Sequence, residues 1–289
     1  MRKRKEKEIN DQDVIKSLPH DRKEVFLDLI LHHKMKLFSL SCFTFMFFIP
    51  LAVDLFFFNY LESIAITQQL YEHLFSLVFY SMAIMIPCMI LGFLGFAGAF
   101  YAMKKMVWQE DVTVAADFFQ GIKESGVRAL INGLLFGIAL FGLVVGCSYL
   151  IIFMKDSPIW CGVGIGALIL VFILLGLVTT LNFTQDAYYK NKYLATMKNS
   201  FLFVGLINWK LLLVFLLTTG SVIALCVFNF ITITIGLLLF AVLNSVVVAV
   251  YTLISHSAFD KYVNKEHHPE MVGKGLYKIV DNDTEKKEA

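Results

Sequence analysis

Six stretches of the chain are apolar almost without interruption: residues 37–58, 74–102, 129–153, 159–183, 209–228 and 233–256. A helix needs roughly 20 such residues to cross a hydrocarbon core, and inside lipid only a helix satisfies every backbone amide of a segment this long from within. The strands of a membrane barrel would alternate apolar and polar positions over about ten residues; these runs do not alternate. The pattern predicts an all-α polytopic membrane bundle of six transmembrane helices. Pro87 falls near the middle of the second run, with Gly92, Gly95 and Gly98 behind it. A kink is expected there, because proline leaves a carbonyl of the preceding turn without its donor. Residues 229–232 are so short a gap that the last two helices should form a tight hairpin.

Three segments between the runs keep a helical period. Residues 21–36 open at Asp21 and put Val25, Phe26, Leu29 and Ile30 on one face. Residues 111–124 open at Asp111, a residue type that caps helices well, and put Ala115, Phe118, Phe119 and Ile122 at three-to-four spacing. Residues 186–204 place Tyr189, Tyr193, Met197 and Phe201 four apart. Each is expected as an amphipathic helix, either lying on the membrane surface or packed as a small cap. Lys123-Glu-Ser125 leading to Leu130-Ile-Asn132 is echoed by Lys198-Asn-Ser200 leading to Leu206-Ile-Asn208; a repeat of this kind would be parallel, with its axis along the membrane normal. The tail from Asp281 is polar and expected to be disordered.

Charge orients the bundle. Lysine and arginine number ten in residues 1–36, four in 103–128, four in 184–210 and six after 257, against Lys155 alone in the alternate segments. Such a bias in short loops sets topology, so both termini are expected in the cytoplasm. Three parts follow: a basic cytoplasmic segment with its amphipathic helix (1–36), the six-helix transmembrane domain (37–257) and a cytoplasmic tail (258–289). The first apolar run starts far from the basic stretch Arg2–Lys5, without small cleavage-site residues behind it, and is expected to remain as an anchor. A composition of 58% hydrophobic and 17% charged residues also excludes a soluble domain, whose surface takes about a quarter charged residues.

Candidate chemistry is sparse. The chain holds no HExxH, GxSxG or GxxxxGK. Gly162-Val-Gly-Ile-Gly166 opens a spanning helix with no strand before it; like Gly133/Gly137 and Gly142/Gly146, it has the spacing that lets helices approach closely in lipid. Ionisable residues within a bilayer are costly and are functional candidates by default, yet no span carries one at its centre. Asp54 is expected to reach the headgroups from the outer end of the first helix, and Asp186 and Lys210 lie near the inner boundary. Asn132, Asn182, Asn208, Asn229 and Asn244 could line an intramembrane polar path, with Asn132, Asn208 and Asn244 the leading candidates and interhelical hydrogen bonds the alternative. His256 and Asp260, one turn apart, permit a hydrogen bond or shared ligation, but no third ligand is in sight and both are expected to be solvated; with Glu110 they form the only set from which a lipid-acting enzyme could be built. The cysteines at 42, 88, 147, 161 and 226 form no CxxC pair and are expected as small hydrophobes. The expectation is a protein with no catalytic residue, cofactor or metal site and no nucleic-acid partner.

Phe96-Ala-Gly-Ala-Phe-Tyr-Ala-Met-Lys-Lys-Met-Val-Trp-Gln-Glu110, followed by Asp117-Phe-Phe-Gln-Gly-Ile-Lys123, resembles the YesL-like family of bacterial membrane proteins. Pro87 with Gly92, and Phe259-Asp-Lys-Tyr-Val-Asn-Lys265 through Gly275-Leu276, are similar to other stretches of that family. The resemblance spans most of residues 37–276; the basic N-terminal extension departs from it. It implies a multi-pass protein of the bacterial plasma membrane, often associated by gene context with carbohydrate uptake, and carries over no functional residue. The residues it makes conspicuous are Trp108, Glu110, Asp117 and Lys123, a candidate cytoplasmic docking turn whose bland reading is fold-forming. The leading expectation is a non-enzymatic accessory or regulatory component whose partners are the bilayer and either a membrane transport complex or a second copy. The alternative is a transporter or channel for a neutral or weakly polar solute.

Overall fold

The computed structural model describes residues 19–70, 73–154, 156–207, 209–228 and 230–277. Everything long in it is helical, and no strand occurs among the described residues. The helices are α1 (Arg22–His32), α2 (Lys34–Thr67), α3 (Leu74–Val107), α4 (Val114–Phe153), α5 (Pro158–Tyr188), α6 (Tyr193–Ile207), α7 (Trp209–Phe215), α8 (Ser221–Phe228) and α9 (Phe230–Phe259). A π-helical turn, Leu216–Gly220, joins α7 to α8, and a second one, Asp260–Asn264, continues α9.

Five helices, α2, α3, α4, α5 and α9, are long and apolar enough to cross a membrane by themselves. The sixth predicted span is built from α7, its π turn and α8. The two ends of the described chain touch: the Tyr277 amide donates to the Pro19 carbonyl at 3.0 Å. A chain that leaves a bilayer beside the point where it entered has crossed an even number of times, which selects six crossings over five. The Phe56 and Phe230 rings, 5.0 Å apart, set the start of α9 beside the second half of α2, at the opposite end from Tyr189 and Asn264, which are joined by a 2.6 Å hydrogen bond. The stretch 209–228 must therefore travel the length of the bundle.

The spans outrun their apolar cores. At about 1.5 Å per residue, the 34 residues of α2 reach roughly 50 Å, well beyond the 30 Å of a hydrocarbon core. The helix continues past residue 58 to Thr67 and through Pro50, and α3 likewise continues through Pro87. Backbone hydrogen bonding does not stop where hydrophobicity stops, and this revises two of the three amphipathic segments. Residues 111–124 are no separate surface helix: α4 begins at Val114 behind Thr113 and runs 40 residues without a break. Asp111 is not its cap, because Asp117 instead reaches back to accept the Thr113 N–H at 2.9 Å. Residues 186–204 divide at 189–192, the first part ending α5 and the rest opening α6. The packed face of α6 is Thr196, Ser200 and Phe203, while Leu194, Phe201 and Leu202 point outward. Helix α6 meets the stretch Trp209–Ile223 at 103°, whereas Ser125 and Asn132 share the single helix α4, so the two echoing segments fold differently.

The third segment folds as expected. Asp21 caps α1 by accepting the Lys23 and Glu24 amides at 2.6 and 2.9 Å; these bonds, that from Glu24 first, hold its carboxyl below the ordinary carboxylate range. Val25 and Leu29 are fully buried against the bundle, with α2, α3 and α9 as neighbours. Helix α1 is thus part of a cap, although Leu27 and Leu31 remain exposed on its other side.

Helix α3 is central, touching α1, α2, α4, α5 and α9. Lipid supplies little hydrophobic drive between helices, so shape and hydrogen bonds decide the packing. Phenylalanines fill the interior from five helices: Phe48 against Phe240 at 4.9 Å, Phe93 against Phe136 at 5.3 Å, and Phe100 stacked on Phe183 at 5.5 Å. Small residues set the approach distances. A Cβ on Gly133 would lie 2.8 Å from the Ile90 Cα of α3, so this glycine is required by backbone contact. Gly142, Gly162 and Gly166 have nothing within 4 Å, and the packing role expected of them is not used within the chain. The expected tail from Asp281, together with Asn208 and Lys155, lies outside the described residues.

Candidate functional site

The polar side chains converge at one end of the bundle, where α3 stops. Its last turn carries Lys104 and Lys105, cations placed where the helix dipole favours them. The chain then reverses through Gln109, at φ +56°. This turn presents Trp108 sideways. The Lys274 ammonium sits 3.6 Å from the centre of the indole ring and the Lys104 ammonium 4.8 Å from it, both within cation–π range. Lys274 also pairs with Glu110 at 2.9 Å. The segment that delivers Lys274 lies against the end of α3: Gly275 has φ +82°, and a Cβ there would run into the Val107 carbonyl oxygen.

Arg22 fastens this segment from the other terminus. Its guanidinium donates to Asp260 Oδ2 at 3.0 Å and to the Lys274 carbonyl at 2.9 Å. Asp260 in turn accepts from Asn264 Nδ2 at 2.8 Å, and the Asn264 side-chain oxygen Oδ1 accepts the Tyr189 hydroxyl at 2.6 Å. Burial, reinforced by the nearby Asp260 charge, pushes the Tyr189 phenol far up, so it stays a donor.

Beneath the cap lies His256, fully buried rather than solvated, because Trp108 and Tyr188 cover it. The Trp108 indole N–H donates to Nε2 at 3.4 Å, Tyr188 stacks on the ring at 4.9 Å and 20°, and Asp260 Oδ1 is 3.9 Å from Nε2. Nδ1 of His256, the Tyr188 hydroxyl and the Ser255 hydroxyl have no protein partner. Glu110 is held above this layer by Lys274, so His256, Asp260 and Glu110 occupy one end of the fold without converging on a common point. Among the described residues no group of three His, Cys, Asp or Glu side chains could hold a metal ion.

The four residues of the predicted docking turn separate into two kinds. Trp108 and Glu110 belong to the cap, and Lys123 is exposed on α4. Asp117 is buried, paired with Lys105 at 2.5 Å and capping α4; its role is to fix the turn. Of the predicted polar path, Asn208 and Asn229 lie outside the described residues, Asn132 and Asn182 meet, and Asn244 is engaged elsewhere. Asn132 Oδ1 accepts from Asn182 at 3.1 Å and from the Tyr193 hydroxyl at 2.9 Å, joining α4, α5 and α6. Asn244 donates to the Ser41 carbonyl at 3.1 Å, joining α9 to α2. Asp54 is turned inward, buried between α2 and α3 with Ser81 at 3.5 Å.

Arg22 and Lys274 were not singled out by sequence, although Lys274 sits between Gly273 and Gly275, the residues that let a strand of chain turn tightly. Another missed feature is the π turn after α7, where the Thr218 hydroxyl meets the Tyr251 hydroxyl at 3.1 Å. Compared with known proteins, the chain matches no family model, no curated protein and no solved structure.

Proposed function

We propose that this is a multi-pass protein of the bacterial plasma membrane with its capped end in the cytoplasm, and that it serves as a non-enzymatic accessory or regulatory component of a carbohydrate uptake system by docking a partner on that cap. The observation that carries the reading is the cap: segments around residues 22, 108, 189, 260 and 274 are tied into one polar surface, with Glu110 and Lys123 exposed at its edge. The orientation rests on charge, since the alternate sequence segments that include the described parts of the cap hold nearly every lysine and arginine, the side that short-loop basic residues choose. The rival reading, a channel or carrier for a neutral solute, has less support, because Asn132 and Asn244 are engaged at separate helix contacts.

Two measurements test these statements. A cysteine at Ser63, exposed near the end of α2, should add a site that reacts with a membrane-impermeant maleimide in intact cells; reaction only after lysis reverses the orientation. The tagged full-length protein, extracted from its native membrane, should retain a stoichiometric partner, and Lys123→Glu with Glu110→Arg should lower its recovery about tenfold, as expected when charges at an interface are inverted. A protein that emerges alone removes the docking role, and solute flux through liposomes reconstituted with it alone favours the rival.

A further inference from the structure

A cleft of ≈ 330 Å³ opens on the side of the bundle where α4, α5 and the α5–α6 link meet. Each residue lining it carries a polar or charged group: Glu124, Arg128, Asp186, Tyr189 and Lys190. Arg128 donates to Asp186 Oδ1 at 2.7 Å and to the Asn191 carbonyl at 2.6 Å, which spends only part of its five-donor fork. The Asp186 side chain is 2% exposed and no donor closes a hydrogen bond on its Oδ2. Among the described residues the neighbouring Thr196 hydroxyl, whose contact with the Lys192 carbonyl is a long 3.4 Å, is the one protein group placed to favour the carboxylate besides Arg128. Lys190 is exposed, and no ion pair or hydrogen bond engages its ammonium among the described residues. The cleft thus offers an unspent cation beside spare guanidinium N–H groups, and an unspent carboxylate oxygen beside Glu124.

The surface of α4 fixes where this cleft stands relative to lipid. Before Arg128 its exposed residues include Gln120, Lys123 and Glu124; from Val127 onward they are Leu130, Ile131, Leu134 and Ile138. Arg128 therefore sits where the helix passes from water to hydrocarbon. A simple anion entering here would meet Glu124 and Asp186, and a simple cation would meet Arg128 and Lys190. A group that carries both charges meets the complement of each, at a boundary where partial exclusion of water strengthens the attraction.

We propose that this cleft binds the headgroup of a phospholipid that carries both a phosphate and a primary ammonium. The phosphate takes Lys190 and the free N–H groups of Arg128, the pairing that guanidinium geometry favours, and the ammonium donates to Glu124 and Asp186 Oδ2. The acyl chains then follow the exposed apolar residues of α4.

The test uses the full-length protein in mild detergent, equilibrated with synthetic phospholipids bearing ethanolamine, choline or glycerol headgroups and weighed intact by native mass spectrometry. The ethanolamine lipid should be retained over the choline lipid, whose methylated ammonium has no N–H to donate. Lys190→Ala should cut its retention about tenfold, the value of one charge-assisted hydrogen bond. Glu124→Gln should lower retention of the ethanolamine lipid while raising that of the anionic glycerol lipid. Both side chains are exposed, so both variants should keep the parent melting temperature. Best retention of the glycerol lipid by the parent protein overturns the assignment, as does equal retention of all three or of none. Displacement by soluble glycerophosphoethanolamine at the same concentration overturns the membrane source.

Discussion

Replacing Gly121 with leucine should remove much of the stability of the fold, whereas the same change at Gly166 should be tolerated. Gly121 marks the crossing of α4 over α3. A Cβ at this position would lie 2.5 Å from the Tyr101 Cβ, 2.9 Å from the Ala97 carbonyl oxygen and 3.0 Å from the Gly98 Cα. Two of those three atoms are backbone, so nothing can rotate away and α3 must move bodily. The crossing is tight from the other side as well, since a Cβ on Gly98 would lie 2.7 Å from the Phe118 carbonyl oxygen. Overpacking a core by methylenes costs about 1–3 kcal/mol when side chains can adjust, and here the adjustment would fall on the helix that touches most others. A loss above about 3 kcal/mol is expected. Gly166 has nothing within 4 Å, and a leucine there should change stability by no more than about 0.5 kcal/mol, as at other uncrowded surface sites. Thermal unfolding of the two purified variants measures both. Equal losses at the two positions would show that the α3–α4 crossing is not the tight contact described.

That contrast marks how far the sequence could be read. Number, type and approximate position of the spans follow from hydrophobic runs, because lipid leaves the backbone one solution. Helix ends do not follow, since hydrophobicity records where lipid lies while a helix is ended by its own caps. Asp21 was legible because its carboxylate and the amides it caps are two and three residues apart. Thr113 was not, because Asp111 is as good a capping residue in isolation and Asp117 decides the matter from inside the helix. Glycine spacing singled out Gly133 and Gly166 alike, and only the neighbours separate them: Ile90 stands against one and nothing against the other. The cap was hidden for a different reason. Its principal bonds join residues 238 and 252 apart, and no periodicity reports a pairing of that range. Trp108 and Glu110 drew notice, but their partner Lys274 did not. Arg128 and Asp186 each end a polar stretch at the lipid boundary, and only the fold makes them a pair.

The cap should open as a unit when Arg22 is changed to alanine. Arg22 and Asp260 are 14% and 18% exposed at their side chains, sheltered enough that losing one partner leaves the other poorly hydrated. Removing one member of such a pair costs about 3–5 kcal/mol when burial is complete, and partial exposure lowers that to roughly 2–3 kcal/mol. The loss falls on a small part of the fold, because Arg22 also holds the Lys274 carbonyl and the other ties of the segment 268–277 run to the cap and the end of α3. The expected outcome is local opening with the spans intact: amides of Gly273, Leu276 and Tyr277 should exchange with deuterium about 30- to 100-fold faster, while those of α3 and α4 should not change. Glu110→Gln removes only the more exposed pair with Lys274, 39% and 36% exposed, and should accelerate the same amides less than about fivefold. Adding Asp260→Ala to Arg22→Ala should recover part of the protection at Leu276 and Tyr277, since the stranded carboxylate is then gone, but not at Gly273, whose amide donates to Asp260; the shortfall from additivity measures the pair itself. Uniform acceleration across the whole bundle would instead mean that Arg22 supports the transmembrane fold and that the cap is not a separate cooperative unit.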